Sequence, residues 1–182
     1  MKTLAQWTVD DYHRMIEAGL FADRRVELLQ GEIVEMPPEN PTHNYTNHQA
    51  LGYLQSLLGD RADVLSPGPI DLNAWGSEPE PDIAIVRPPL SCYKHRHPNP
   101  EDIHWLIEIS NSTLAYDLND KQRLYALAGI SEYWAIDVQA SQAWVHRQPE
   151  GEQYRVKTAI AAGSISPLAF PAIAVDLVQL LG

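Results

Sequence analysis

A mixed α/β fold is what this sequence predicts, and three observations predict it. The runs "DIAIV" (82–86) and "IHWLIEIS" (103–110) have the length and bulky apolar content of strands. Two stretches, about 9–18 and 42–58, carry helical periodicity between capping and terminating residues. Gln30-Gly31 and Glu150-Gly151 separate strand-like runs in the manner of hairpin turns.

Taken in order, Thr8 supplies a capping hydroxyl, acids fill the first turn, and Gly19 stops the first helix. "RVELLQGEIVEM" then reads as a hairpin of about 25–29 with 32–36, ended by Pro37 and Pro38. Apolar positions at Tyr45, Leu51, Leu54, Leu57 and Leu58 make the second helix, with Gly59-Asp60 closing it. Residues 62–72 look extended, 82–86 is a strand, "SCYKHRHPNPED" is a polar loop, and 103–110 is a strand apolar enough for the sheet centre. Asp117 is the expected N-cap of a helix over about 118–128, which Gly129 ends. Strands follow at about 132–138, 142–147 and 153–159, and the tail "FPAIAVDLVQLLG" finishes as a short helix.

The 182 residues, 45% of them hydrophobic, suffice for one domain spanning 1–182, and no repeat or Gly/Ser linker divides them. No apolar run approaches the roughly 20 residues that cross a bilayer, and the N-terminus is polar where a signal peptide would be greasy, so a cytoplasmic protein is expected, without a membrane partner. Cys92 is the only cysteine and cannot form an internal disulfide. A formal net charge of −11 argues against tight nonspecific binding of nucleic acid, unless part of the negative charge surrounds a cation.

Two carboxylates stand out. Along 103–110, His104, Leu106, Glu108 and Ser110 alternate with Ile103, Trp105, Ile107 and Ile109, so Glu108 shares a face with Leu106. Asp82 likewise shares a face with Ala84 and Val86. An ionised carboxylate beside such neighbours is costly without a compensating charge or hydrogen bond. Salt bridges to Arg87, Lys121 or Arg123 would be one remedy; a hard divalent cation shared between adjacent strands, magnesium or manganese, is the other. Lys121 lies on an inward stripe with Tyr125 and Ala128, an unusual place for an unpartnered lysine.

"PEPDIAIV", "WLIEISNSTLAYDLNDKQRLYALAGISEYWAID", "RVELLQGEIVEM" and "PTHNYTNHQALGYLQSLL" together resemble the Uma-type restriction endonuclease family of the PD-(D/E)XK nuclease superfamily. The resemblance runs from the first helix to the closing "VDLVQLLG". It implies a restriction-endonuclease-like fold, a central mixed sheet flanked by helices, and a Mg2+- or Mn2+-dependent endonuclease acting on nucleic acid, DNA sooner than RNA. On the matching positions, Asp82 and Glu108 would hold the metal, with the Ile109 carbonyl as a third oxygen. The superfamily places a lysine two residues after the second acid, where Ser110 stands here; Lys121 would replace it from the next helix. Glu27 would be a further ligand or a buttress, and His43 also falls on a family position. Cleaving both strands of a duplex suits two copies of one site, so a homodimer is expected.

Other readings are weaker. His95, His97 and His104 offer transition-metal ligands, but in a Pro- and Asn-rich loop without thiols. No Gly-rich phosphate loop, nucleophile elbow or paired-cysteine motif is present. The five tryptophans read as core or interface. A different class remains: a catalytically inactive, nuclease-like binding or assembly module, which the acidic balance favours and the Asp82, Glu108 and Lys121 set disfavours.

Overall fold

The structure, a computed structural model, describes residues 4–38 and 40–182. Thr8 and Asp11 form a reciprocal capping box at the start of α1 (Val9–Glu17). The hairpin of β1 (Val26–Leu29) and β2 (Glu32–Glu35) turns at Gln30 and Gly31, whose φ angles are 48° and 81°. Such a turn needs two left-handed residues, and a Cβ on Gly31 would also fall 2.7 Å from the Gln6 Cβ, so glycine is required there. Tyr12 and Val9 of α1 pack on Val26 and Leu28, and the Tyr12 hydroxyl donates to the Val26 carbonyl at 2.7 Å.

Asn40 accepts the His43 N–H and starts α2 (Pro41–Leu58), with Pro41 at a first-turn position that needs no donor. The main sheet comprises β3 (Asp63–Leu65), β4 (Ile83–Val86), β5 (Ile103–Ser110), β6 (Glu132–Asp137), β7 (Gln142–Glu150) and β8 (Gln153–Ile160), adjacent in that order. Only β5 and β6 run parallel; the other neighbours are antiparallel. The parallel pair requires a crossover, supplied by α3 (Leu114–Tyr116), a π-helical turn (Asp117–Lys121) and α4 (Gln122–Leu127).

One face of the sheet buries Ile83, Ile85, Trp105, Ile107 and Trp134 beneath α2 and the terminal helix α5 (Leu177–Leu181). The opposite face buries Ala84, Val86, Leu106 and Tyr133 beneath α4. A mixed α/β architecture with a central mixed sheet flanked by helices is what the sequence predicts, and it is observed. Among the described residues no helix is long and apolar enough to cross a membrane.

Three details differ from the sequence-based expectation. Residues 62–72 contain only the short β3, because Pro67 and Pro69 cannot donate to a ladder. Ile103 does not share the face of Trp105: the register shifts from Ile85 opposite Trp105 to Val86 opposite Ile103, leaving His104 as the extra residue of a bulge. Ile103 therefore joins the cluster of Leu106, while His104 stacks edge-on against Phe170. Finally, β9 (Ser164–Ile165) and β10 (Val175–Asp176) form a two-residue ladder too short to leave a periodic signal.

Candidate active site

Asp82 ends the polar run before β4 and Glu108 lies inside β5; with Ile83 opposite Ile107, antiparallel pairing brings the two acids side by side. The Asp82 N–H donates to Glu108 Oε2 at 3.3 Å, and the Ile109 N–H donates to Asp82 Oδ2 at 2.7 Å. The Ser110 carbonyl accepts the Val138 N–H beside β6, so Ser110 faces that strand and Ile109, one residue earlier, turns its N–H and carbonyl toward the β4 side.

Lys121 reaches this point from the crossover. Its Nζ lies 2.6 Å from Glu27 Oε2 and 3.3 Å from Glu108 Oε1, and none of the three is appreciably exposed. Glu27 is filled further: its Oε2 also accepts the Glu80 N–H at 3.1 Å, and Oε1 accepts the Tyr116 hydroxyl at 3.1 Å. Glu108 Oε1 accepts the Tyr125 hydroxyl at 2.7 Å. His43 Nε2 lies 3.2 Å from Asp82 Oδ2. The sequence-derived set of Asp82, Glu108, Ile109, Lys121, Glu27 and His43 thus converges from five elements.

Burial raises the Glu108 carboxyl well above its ordinary range, with Lys121 opposing the shift and Asp82 and Asp117 adding to it. Burial likewise raises Asp117 and Glu80. For Lys121, burial opposes the charge, yet Glu108 and Glu27 override it and hold the ammonium above its normal value. The Tyr125 phenol is pushed up by burial and by Glu108, so it stays a donor.

Asp117 departs from expectation: it does not cap a helix. The helix starts earlier, at Leu114, and Asp117 opens the π turn with its Oδ2 accepting hydroxyls of Ser110 and Thr113, each at 2.7 Å. The expectation failed because an Asp before an apolar-periodic stretch looks the same as a cap when its hydroxyl partners lie on a neighbouring strand and turn. Ser110, two residues after Glu108, holds Asp117. Tyr116, Tyr125 and Glu80 were not singled out as site residues; the spacing of Tyr125, four after Lys121, was the available signal.

A small cleft of about 50 Å³ opens over Asp82, Glu108 and Asp117, with Glu80, His43 and Arg25 also lining it. Among the described residues no three His, Cys, Asp or Glu side chains form a metal-holding group. What faces the cleft is a set of carboxylates, Asp82 and Glu108 with Asp117 and Glu80 beside them, all hard oxygens, with more negative charge than Lys121 balances. That donor set fits a hard cation that keeps several of its waters. The histidines of the 94–104 segment do not supply a softer site: His95 and His97 are exposed, and His104 packs on Phe170.

An acid thus stands before one strand, an acid within the next and a lysine in the crossover that follows, on a central mixed sheet flanked by helices. The chain belongs to the Uma2 family, described as "Putative restriction endonuclease", whose model matches residues 9–177. A solved structure described as "a putative nuclease belonging to DUF820 from Anabaena variabilis ATCC 29413" is similar over 96% of this chain and 97% of that one, with a TM-score of 0.72. At 17% identity that likeness shows the fold. No curated protein matches the chain.

Proposed function

We propose that this protein is a metal-dependent endonuclease that hydrolyses phosphodiester bonds of nucleic acid, DNA in preference to RNA, with Asp82, Glu108 and the Ile109 carbonyl holding Mg2+ or Mn2+. The observation that carries this reading is the adjacency of the Asp82 and Glu108 carboxylates at the floor of an open cleft, with a fully buried lysine behind them. When bound, the divalent ion would neutralise the phosphate and make a water more acidic.

The chain's own residues do the rest. The Ile109 N–H and His43 fix the Asp82 carboxylate. Tyr125 and Lys121 hold Glu108 Oε1, which leaves Oε2 toward Asp82 and the cleft. Glu27 acts as a buttress, because Tyr116, Lys121 and the Glu80 N–H occupy its oxygens. Lys121, out of solvent behind the carboxylates, spends its ammonium on Glu27 and Glu108, so it would assist by holding Glu108 in place for the metal. Two copies of the chain would cut the two strands of a duplex, which sedimentation would reveal as a dimer.

The test is cleavage of supercoiled plasmid and of labelled single-stranded DNA and RNA, with Mg2+ or Mn2+ and with chelator. Metal-dependent cutting that Asp82→Asn abolishes is the expected result. Metal binding without cutting of any polymer would favour the nuclease-like binding module.

A further inference from the structure

The chain carries a net charge of −11, yet residues 87–98 contain three of its thirteen Lys and Arg residues and no Asp or Glu. This segment forms one wall of a second groove, of about 660 Å³, that runs along the edge strand β3. Lys94 stands on that wall, and among the described residues no carboxylate pairs with it, whereas Arg96 is bound to Asp102 and covers one face of Tyr93 at 5.2 Å. The remaining walls are largely apolar, with Leu51 from α2, Leu65 from β3 and the half-exposed Leu90.

This groove adjoins the catalytic cleft. His43, Asn47, Leu51 and Gln55 follow one another at four-residue spacing on one face of α2. His43 lines the catalytic cleft, Leu51 and Gln55 line the groove, and Asn47 between them accepts the Ser66 hydroxyl at 3.4 Å. The register of β3, with Leu65 opposite Ala84, brings Ser66 level with Ile83, next to Asp82.

We propose that this groove holds an unpaired DNA strand leading away from the scissile phosphate, its phosphates meeting Lys94 and its bases lying on the apolar wall of Leu51, Leu65, Leu90 and Tyr93. A duplex presents phosphates outward and hides its bases, so a cationic rim beside an apolar trough suits an unstacked strand better. No Asp or Glu lines the groove itself, which weakens the objection raised by the overall charge where the strand would lie. This inference rests on the endonuclease reading above.

The test measures anisotropy of a fluorescein-labelled 20-nucleotide single strand against the full chain, in chelator, across a salt series. Lys94→Glu and Leu90→Asp alter exposed side chains and should each weaken binding about tenfold, and the Lys94 variant should also lower the salt slope by about 1. Lys157→Glu on β8, remote from both clefts, serves as the control and should bind as wild type. Single-strand binding and metal-dependent cleavage that Lys94→Glu and Leu90→Asp leave unchanged would overturn the groove and spare the nuclease. Absence of both binding and cleavage in the wild type would overturn both.

Discussion

Lys121 approaches Glu108 from the crossover helix: its Nζ lies 3.3 Å from Glu108 Oε1 and 2.6 Å from Glu27 Oε2, with all three side chains out of solvent. A lysine on the strand itself would have had to occupy Ser110, whose hydroxyl is committed to Asp117. The π turn (Asp117–Lys121) lies just ahead of α4, and Tyr116, Asp117, Lys121 and Tyr125 all reach the site across it.

Lys121→Met should therefore cost stability as well as activity. Removing the cation leaves Glu27 and Glu108 buried without a counter-charge, which typically costs about 3–5 kcal/mol. Urea unfolding of Lys121→Met against Lys121→Met/Glu27→Gln separates the two effects: the second substitution should recover much of the stability and none of the cleavage. Wild-type stability in the single variant would mean that the buried lysine is not holding the carboxylates.

Tyr125→Phe removes a hydroxyl donor from a carboxylate that burial already disfavours. The expected loss is about 1–3 kcal/mol in unfolding free energy. Because Glu108 Oε1 would then rotate more freely, the Mg2+ concentration needed for the proposed cleavage should rise too. A loss of stability with an unchanged metal titration would confine Tyr125 to the core.

Much of this site was legible in the sequence because strand alternation alone puts Asp82 and Glu108 on the faces of Ala84 and Leu106, where carboxylates need a reason to be. Lys121 showed itself by an inward position on a helix. What stayed hidden depended on contacts distant in sequence: Tyr116 with Glu27, 89 residues apart, and the Glu80 N–H with Glu27, 53 apart. The start of the crossover helix was misplaced because the π turn breaks the 3.6-residue period on which such readings depend. The bulge at His104 reversed Ile103 for the same kind of reason, since an extra residue erases alternation locally.

Glu108 sets a pH dependence. Burial raises its folded-state carboxyl above that of the unfolded chain, so the folded protein holds the proton more tightly. The stabilising contribution is complete below the unfolded value, about 4.3, and is lost as pH rises toward the folded one. In chelator, Glu108→Gln should be more stable than wild type at pH 8, by about 2–4 °C in Tm for each kcal/mol relieved, and the difference should close near pH 4. Calorimetry across that range checks it; a variant less stable at pH 8 would show that Lys121 outweighs burial.

His146 acts with the opposite sign. Its ring is stacked on Tyr133 at 5.3 Å and tilted against Tyr154 at 5.7 Å, and its buried Nδ1 has no hydrogen-bond partner among the described residues. Burial, reinforced by Lys157, pushes the imidazole down to about 4. The unfolded chain protonates first, so the contribution is present above about pH 6.5 and is lost as pH falls through the folded value. At 1.36 kcal/mol per pH unit the loss approaches roughly 3 kcal/mol. His146→Phe keeps the ring stack and has no proton to gain, so its unfolding free energy should fall less steeply between pH 6.5 and 4, by up to one proton's worth of slope. Parallel wild-type and variant curves in urea across that window would mean that the cation is accommodated in the folded protein.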